Sequence, residues 1–353
     1  MPELRYRHLD LVHLAAALLE KAGLAEERAR IVAETLVEAD LMGHSTHGLA
    51  LLPAYLGELD GGGMAKTGEP DTVQDLGQAF TWDGGYLPGP WLMHQALKLA
   101  AMRAASYPVV TGVIRKSHHI ACLAAYPELL TSKGLLVILS CSDPINRTVA
   151  PFGGLTATYS PNPIAAGIPT PDGPIIIDVS TSATANGLVV QKHREGARLP
   201  HPWLQDSSGE LTDDPAVFFQ NPPATILPLG GLDTGYKGFA LGLLVEALTN
   251  GLCGYGRAEH PTRWGGSVFL QVINPEAFSG LEYLKKEMGH LAQACLSSPP
   301  RAGGTPVRLP GSRARALREE QKKEGVQLYP PIVPALQECA QQYGLDMAEP
   351  CES

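Results

Sequence analysis

Three short clusters of the sequence carry side chains suited to acid–base chemistry. Gly43–Gly48 holds two histidines separated by Ser and Thr, Ser117–His119 follows an apolar run, and Asp178 follows another. A histidine titrates near neutral pH, and a carboxylate can orient it. The same residues also fit plain structural roles, as helix caps or a surface turn. The clusters are therefore candidates for proton transfer that need a fold to bring them together.

Common signatures of other chemistries are missing. No G-x-G-x-x-G follows a strand, so the ordinary dinucleotide fingerprint is absent. The segment 231–238 has the wrong spacing for a phosphate-binding loop, although a lysine between glycines suits an anionic ligand. His44 and His47 lack a neighbouring acid, and no H-E-x-x-H occurs, so we expect no metal site.

Composition narrows the class of protein. The 353 residues are 44% hydrophobic and 18% charged, which excludes a disordered chain. A net charge of −9 without basic runs argues against nucleic-acid binding. No apolar stretch approaches a membrane span or a secretory signal, and six scattered cysteines suggest free thiols. We expect a cytoplasmic protein with no membrane or nucleic-acid partner.

Hydrophobic periodicity predicts a helical start followed by an α/β region. Leu11, Leu14 and Leu18 follow helical spacing, and a second helix is predicted over 26–41. Short β-like runs at 79–82, 109–114, 135–140, 164–168, 175–179 and 267–273 alternate with helical segments at 90–105, 121–132 and 234–250. The turn at 171–174 makes two of these runs a hairpin. These patterns predict an α/β fold in which helices flank a mixed β-sheet.

Two domains are expected. Helices predicted at both ends, including 311–324 and 331–343, suggest one helical domain formed by residues 1–70 plus 305–353. Residues 71–304 would form the cofactor-binding and catalytic α/β region. The triple glycine at 61–63 and the Ser/Pro/Gly-rich stretch at 297–306 mark the boundaries.

Taken together, the motifs resemble those of the second type of malate/L-lactate dehydrogenase family. That family also includes ureidoglycolate, sulfolactate and hydroxycarboxylate dehydrogenases and some cyclic-imine reductases. The resemblance is carried, in this order, by GHSTHGLALLP (43–53), SHHIACLAAY (117–126), VAPFGG (149–154), Asn162-Pro163, IDVSTS (177–182), GELTDDP (209–215), GYKG (235–238), INPEAF (273–278) and LPGSR (309–313). Residues 51–53 and 118–120 resemble the hydroxycarboxylate dehydrogenase branch most.

The resemblance implies a fold, a cofactor and roles for residues. The fold would be the sulfolactate-dehydrogenase-like, non-Rossmann one that binds NAD or NADP, in a homodimer with the cofactor near the interface. His118 would be the acid/base, His47 a proton donor or ligand contact, Asp178 a relay carboxylate, and Thr46 the hydroxyl beside His47. Cofactor contacts would come from His47, Ala121, Cys122, Leu123, Ser142, Ile176, Ile177, Asp178, Val179, Ser180, Lys237, Gly311, Ser312 and Arg313.

Departures from the family pattern bear on the substrate. Many members carry arginine where Leu51 stands, and there it grips the substrate carboxylate. Leu51 and Asn162 are expected to contact the substrate. Family members usually carry Thr before the asparagine, and here that residue is Pro161. Without that arginine, we expect a preference for 2-oxo acids with a bulky apolar side chain.

The resulting hypothesis is an NAD(P)-dependent 2-hydroxy acid dehydrogenase or 2-oxo acid reductase that uses a histidine acid/base. Two alternatives remain open: a cyclic-imine (ketimine) reductase, and a non-catalytic binding member of the family.

Overall fold

The computed structural model of the chain describes residues 4–329 and 331–351. Its helices are α1 (His8–Lys21), α2 (Glu26–Leu41), α3 (Leu52–Asp60), α4 (Gly89–Arg103), α5 (Glu128–Thr131), α6 (Asn186–Arg194), α7 (Gly231–Glu246), α8 (Leu281–Leu296), α9 (Ser312–Glu324) and α10 (Ile332–Tyr343). Its strands are β1 (Arg5–Tyr6), β2 (Asp71–Asp75), β3 (Ala79–Asp83), β4 (Val109–Ser117), β5 (Leu136–Ser142), β6 (Ile164–Ile168), β7 (Ile175–Val179), β8 (Leu204–Gln205), β9 (Leu211–Thr212), β10 (Thr225–Ile226), β11 (Gly266–Ile273) and β12 (Val326–Gln327).

A seven-stranded mixed sheet forms the centre, in the order β2-β3-β4-β11-β5-β6-β7. Only the β3–β4 pair in this sheet is parallel, and β6 and β7 form the predicted hairpin. Ser117, at the end of β4, lies opposite Gly266, at the start of β11. The residues that follow β4 therefore leave the sheet beside the residues that precede β11. This register brings two distant parts of the sequence to one edge.

Two main hydrophobic clusters hold the fold together. The first joins α1, α2 and α3 to α10 through fully buried leucines such as Leu18, Leu36 and Leu52. The second packs α4 against the central strands through residues such as Trp91, Val110 and Leu270. Burying such side chains removes apolar surface from water at about 25 cal/mol per Å². A smaller cluster around Val149 and Ile226 lies under the small sheet β10-β8-β9.

Most predicted elements are present, with three differences. The mixed α/β class, the helices at both ends and all six β-like runs are confirmed. The helix predicted over 121–132 is reduced to a 3-10 turn at Leu123–Ala125 and the single turn α5, because Pro127 interrupts it. The cap role considered for the cluster around Asp178 implies a helix over 182–194, and that helix begins at Asn186 instead. Helix α8 was not predicted, because it buries little besides Ala292.

None of the helices within residues 4–329 and 331–351 combines the length and apolar character needed to cross a membrane.

Candidate active site

A cavity of about 450 Å³ opens at the edge of the sheet where β4, β5 and β7 end. Its walls come from the turns at 44–51, the segment after β4, the loops after β5 and before β6, and the start of α6. Among the predicted site residues it is lined by Thr46, His47, Leu51, Ala121, Cys122, Leu123, Asn162, Asp178 and Ser180. The fold therefore brings together residues from four of the sequence motifs, those at 43–53, 117–126, 162–163 and 177–182, as a functional cavity requires.

The turn that carries His47 is fixed from beneath by a buried carboxyl. Asp40, at the end of α2, accepts the Leu49 N–H at 2.7 Å, and burial raises its pKa to about 7. A Cβ on Gly48 would lie 2.4 Å from this carboxyl group, so only glycine allows the close approach. The Thr46 hydroxyl lies 2.9 Å from Nδ1 of His47 and orients that ring.

His118 and His119 both pack against Trp264, but they differ in their access to the cavity. The His118 side chain is fully buried, packs edge-on against Trp264 with ring centroids 4.9 Å apart, and faces Glu58 with Nε2 3.4 Å from the carboxylate. His118 does not line the cavity, whereas His119 does, with its ring 6.0 Å from that of His47. The structure thus places His118, the predicted acid/base, behind the cavity wall, because Trp264, Tyr55 and Glu58 surround its ring.

Burial keeps His47, His118 and His119 neutral. It lowers the pKa of His47 to about 4, assisted by repulsion from His44. Burial and the Arg263 charge lower the pKa of His118 to about 3. Burial, with repulsion from His47 and His118, holds the pKa of His119 well below its usual range. A neutral imidazole has one N–H donor and one bare nitrogen, so its tautomer decides what it offers a ligand.

Asp178 lies where the first cavity meets a second one. Its carboxylate accepts the Ala124 N–H at 2.9 Å, and the Cys122 sulfur lies 3.9 Å away. Burial raises the pKa of Asp178, opposed by the His44 charge and the Ala124 hydrogen bond. Burial also raises the pKa of the Cys122 thiol, which keeps it protonated. The cysteine is therefore a wall of the site and not a nucleophile.

A buried polar network supports the floor of the cavity. Glu246 accepts hydrogen bonds from Asn162 at 2.9 Å, Ser142 at 2.8 Å and Arg257 at 2.8 Å. Arg257 also donates to the carbonyls of Asp143 and Asn146, both of which line the cavity. Paired charges with satisfied hydrogen bonds are rigid. Ser142, predicted as a cofactor contact, lies inside this network and lines neither cavity.

The second cavity, of about 540 Å³, shares His44 and Asp178 with the first. It is lined by Ile176, Ile177, Val179, Gly311, Ser312 and Arg313, all predicted cofactor contacts, and by Arg308 and Arg315. Gly311 has φ +79°, and a Cβ there would lie 2.9 Å from the Ile176 carbonyl oxygen. Because this turn starts α9, the N-terminal end of a helix and the side chains of Arg308 and Arg313 line one cavity, which suits phosphate.

Lys237 is the other predicted contact that lies elsewhere. It is exposed on α7 beside the Tyr236 ring, 5.8 Å from its centroid, and lines neither of these cavities.

Several residues that form the site were not selected from the sequence. They are His119, His44, Tyr55, Asp143, Asn146, Asn186 and Trp264. His119 could have been found as the second histidine of the Ser117–His119 cluster, which the sequence already marks as a candidate. Trp264 could not, because only the β4–β11 register brings it beside the histidines. In the part of the chain that the structure describes, no lysine or arginine lines the first cavity.

Comparisons with known proteins agree with this architecture. Residues 7–337 match the family described as malate/L-lactate dehydrogenase. The chain is 31% identical over 345 residues to an L-lactate dehydrogenase of Cupriavidus necator, covering 96% of this chain and 97% of the relative. It is 28% identical over 337 residues to hydroxycarboxylate dehydrogenase B of Escherichia coli K12, covering 93% and 91%.

Solved structures share the fold. Malate dehydrogenase from Entamoeba histolytica matches with a TM-score of 0.92 at 24% identity, covering 97% of this chain and 99% of that one. Sulfolactate dehydrogenase from Methanocaldococcus jannaschii matches at 0.85 and 26% identity, covering 97% and 98%. The δ1-piperideine-2-carboxylate reductase from Pseudomonas syringae matches at 0.81 and 28% identity, covering 95% and 99%. The expected sulfolactate-dehydrogenase-like fold is confirmed.

Proposed function

Because the chain belongs to the malate/L-lactate dehydrogenase family, we propose that it is a nicotinamide-dependent oxidoreductase that interconverts a 2-oxo acid and a 2-hydroxy acid. The observation that carries the proposal is the pairing of His47 and His119 on one cavity that opens, at Asp178, into a second cavity with cationic walls. One cavity suits the reacting groups, and the other suits the phosphates of a dinucleotide.

NAD or NADP fits the residues that line the two cavities. The start of α9, with Arg308 and Arg313, offers N–H groups and positive charge for phosphate, and Gly311 lets the backbone approach closely. The segment 121–123 with Asp178 and Ser180 would hold the nicotinamide end. When bound, the cofactor supplies or accepts the hydride.

The protein contributes proton control and orientation. We assign His119 to the oxygen of the substrate, because its ring faces the cavity while His118 is enclosed. His47, oriented by Thr46, contacts the substrate or cofactor from the same wall. Asp178 acts as the relay carboxylate, held by the Ala124 N–H. Asn162 lines the floor, where Glu246 and the Gly242 carbonyl fix its amide.

The substrate wall favours an apolar side chain. Leu51 and Trp264 line the cavity, and Arg263 anchors the tryptophan loop by donating to the Gly63 carbonyl at 2.7 Å. The carboxylate of a 2-oxo acid would meet neutral donors and histidines in place of a guanidinium. We therefore propose a 2-oxo acid with a bulky apolar or aromatic side chain, in preference to a small dianion.

Cyclic-imine reduction is the second candidate function. It is favoured by the two carboxyl groups, Asp143 and Asp178, that line a cavity without arginine or lysine among the described residues. A carboxylate can pair with an iminium cation, which a 2-oxo acid does not carry. The similarity to the δ1-piperideine-2-carboxylate reductase supports the same reading.

We also propose a homodimer, with α7 as the interface. Leu232, Leu243 and Leu244 are each about half exposed on this helix, as is Leu252 just beyond it. An apolar patch of this kind marks a protein contact. Because Glu246 is on the same helix, the interface would adjoin the network under the cavity.

The test is a turnover screen with both cofactors. NADH and NADPH binding is measured by fluorescence, and oxidation is followed with 2-oxo acids and cyclic imines. We expect turnover of 2-oxo acids, and a loss of about 10²–10⁴ in kcat for His119→Asn with a small effect for His118→Asn. Cofactor binding without turnover of either substrate class would favour a non-catalytic member and reject the proposal.

A further inference from the structure

The Nδ1 atom of His119 is enclosed by two groups of the protein. The Tyr55 hydroxyl, on α3 and fully buried, lies 2.8 Å from Nδ1 and 3.0 Å from the carbonyl oxygen of His119 itself. The backbone N–H of Ala121 points at the same Nδ1 from 3.2 Å. One side chain and one main-chain group therefore meet the same nitrogen of the ring.

The main-chain contact is imposed by an unusual backbone conformation. Ala121 has φ +57°, in the left-handed region that residues with a Cβ rarely adopt. Such a conformation costs of order 1–3 kcal/mol and persists where the surroundings impose it. Ala121 is buried, and the N–H of this strained residue is the one that reaches back to His119.

A backbone N–H can only donate, so the nitrogen it faces must accept. Were Nδ1 protonated, two N–H groups would face each other at 3.2 Å. Tyr55 is compatible with either state, because its hydroxyl can donate to Nδ1 or to the carbonyl oxygen. We infer that His119 is held as the neutral tautomer with its proton on Nε2, by Ala121 as the selecting donor and Tyr55 as a positioning residue.

The opposite ring nitrogen is the one that a ligand meets. Within residues 4–329 and 331–351, the hydrogen bonds of the His119 ring are made through Nδ1, none is made through Nε2, and the residue lines the cavity. The pKa of His119 lies well below its usual range because of burial and the neighbouring His47 and His118. The ring thus presents a neutral N–H donor to the cavity at neutral pH.

This donor selects the reducible group of the substrate, an inference that rests on the proposed function. A carbonyl oxygen accepts the Nε2–H and is polarised toward hydride addition, as neutral imidazole donors do elsewhere. The proton that the resulting alkoxide takes up comes from solvent through the open cavity. A protonated cyclic imine presents its own N–H and would face the Nε2–H with like polarity. His119 therefore favours 2-oxo acids over iminium substrates. The two carboxyl groups of the cavity have the opposite effect, because they favour a cation.

The tautomer is measured directly by NMR of the full-length protein labelled with ¹⁵N in the histidine rings. His119→Asn identifies the signals of His119 by their loss. We expect a bare Nδ1 and a protonated Nε2 throughout the neutral range. A protonated Nδ1 or a doubly protonated ring would overturn the inference. The spectrum needs no turnover, so a chain inactive on every 2-oxo acid would reject the proposed function and leave this result standing.

The positioning role of Tyr55 is tested with Tyr55→Phe, which keeps the ring and removes the hydroxyl. We expect kcat with 2-oxo acids to fall about tenfold, the effect of one hydrogen bond, while the Kd for cofactor changes less than about twofold. Tyr343→Phe removes a hydroxyl that donates to Asp60 and serves as the matched control. An unchanged kcat in Tyr55→Phe would reject the positioning role.

The selectivity is tested by comparing cyclic imines with 2-oxo acids across pH in the wild-type protein. We expect kcat/KM for 2-oxo acids to be higher, and that for imines to rise as the iminium loses its proton. A preference for the protonated imine would contradict the inference.

Discussion

At His118 and His119 one peptide unit separates a ring buried in the protein from a ring that faces a ligand cavity. Both histidines follow strand β4, and the sequence alone makes them equal candidates for acid–base chemistry. Trp264 packs against both rings, but Glu58 faces the first ring whereas the second lines the cavity. Chemistry at this site therefore depends on how distant elements pack around each ring.

The first prediction at the residue scale concerns Leu51. It lines the cavity beside the histidines, where arginine would form a bidentate pair with a second carboxylate. We expect wild-type protein to prefer phenylpyruvate to oxaloacetate in kcat/KM, and Leu51→Arg to shift that ratio toward oxaloacetate by about tenfold or more. Leu76→Arg, at a leucine 65% exposed, is the control. A wild-type preference for oxaloacetate, or an unchanged ratio, would count against the apolar wall.

A second residue-scale prediction follows from the pKa of His118. Burial and the charge of Arg263 lower it to about 3, although the Glu58 carboxylate lies only 3.4 Å from Nε2. Below about pH 6.5 the His118 imidazole takes up a proton in the unfolded chain but stays unprotonated in the native state. Stability is therefore lost as pH falls from about 6.5 toward 3, at up to about 1.4 kcal/mol per pH unit from this group.

His118→Gln removes that contribution, so its loss of stability between about pH 7 and pH 5.5 should be smaller than in wild type. Urea denaturation at the two pH values measures it, and His13→Gln, at an exposed histidine, should behave like wild type. Equal pH dependence in His118→Gln and wild type would mean that His118 is not enclosed.

The site residues divide by what the sequence can reveal. His47, Asp178 and Leu51 stand in motifs with local signals, and all three line the cavity. Lys237 also stands in a motif, but it is exposed on α7. Ser142 was expected as a contact from the family resemblance alone, and it is enclosed beside Glu246. Local sequence places a residue on an element; which way the side chain points is decided by packing against distant elements.

At the scale of elements, most strands of the central sheet were predictable from the sequence. Continuous apolar runs such as 175–179 mark strands buried in a sheet, and all six were found. Helix α8 and strand β2 were not predicted: β2 is exposed along its length, and α8 buries little besides Ala292. The pairing of β4 with β11, which creates the site, is a long-range contact that no local pattern encodes.

The junction of β7 with α9 carries the prediction at this scale. In Gly311→Ala the new Cβ would lie 2.9 Å from the Ile176 carbonyl oxygen. In Gly303→Ala, at a similar φ of +72°, the Cβ meets nothing within 4 Å. Both pay about 1 kcal/mol for the left-handed backbone, but only Gly311→Ala must also displace β7.

We expect Gly311→Ala to lower the urea midpoint more than Gly303→Ala and to weaken NADH binding by about tenfold or more, measured by fluorescence titration. Gly303→Ala should bind like wild type. Equal NADH affinity in the two variants would remove the start of α9 from the proposed cofactor site.

At the scale of the whole molecule, the two main hydrophobic clusters parallel the division suggested by the sequence. One joins the N-terminal helices to α10, and the other belongs to the sheet and α4. We propose that residues 1–70 with 305–353 form one domain and 71–304 the other. The cavity lies between their elements, since His47 comes from the first and His119 from the second.

The apolar face of α7 gives the prediction for assembly. We expect wild type to have the mass of a dimer by light scattering, and Leu243→Glu to have that of a monomer, because a charge is costly in an apolar interface. Leu76→Glu, at a leucine more exposed but elsewhere, should stay dimeric. A monomeric wild type, or a dimeric Leu243→Glu, would place the interface elsewhere or remove it.

The most direct test of the central claim is the fate of the transferred hydrogen. The protein is given a 2-oxo acid with NADH or NADPH deuterated at C4 of the nicotinamide, and the product is analysed by mass spectrometry and NMR. The account predicts a 2-hydroxy acid with deuterium at C2, formed by wild type and slowed by about 10²–10⁴ in His119→Asn. A product without deuterium at C2, or one formed equally fast by His119→Asn, would contradict it.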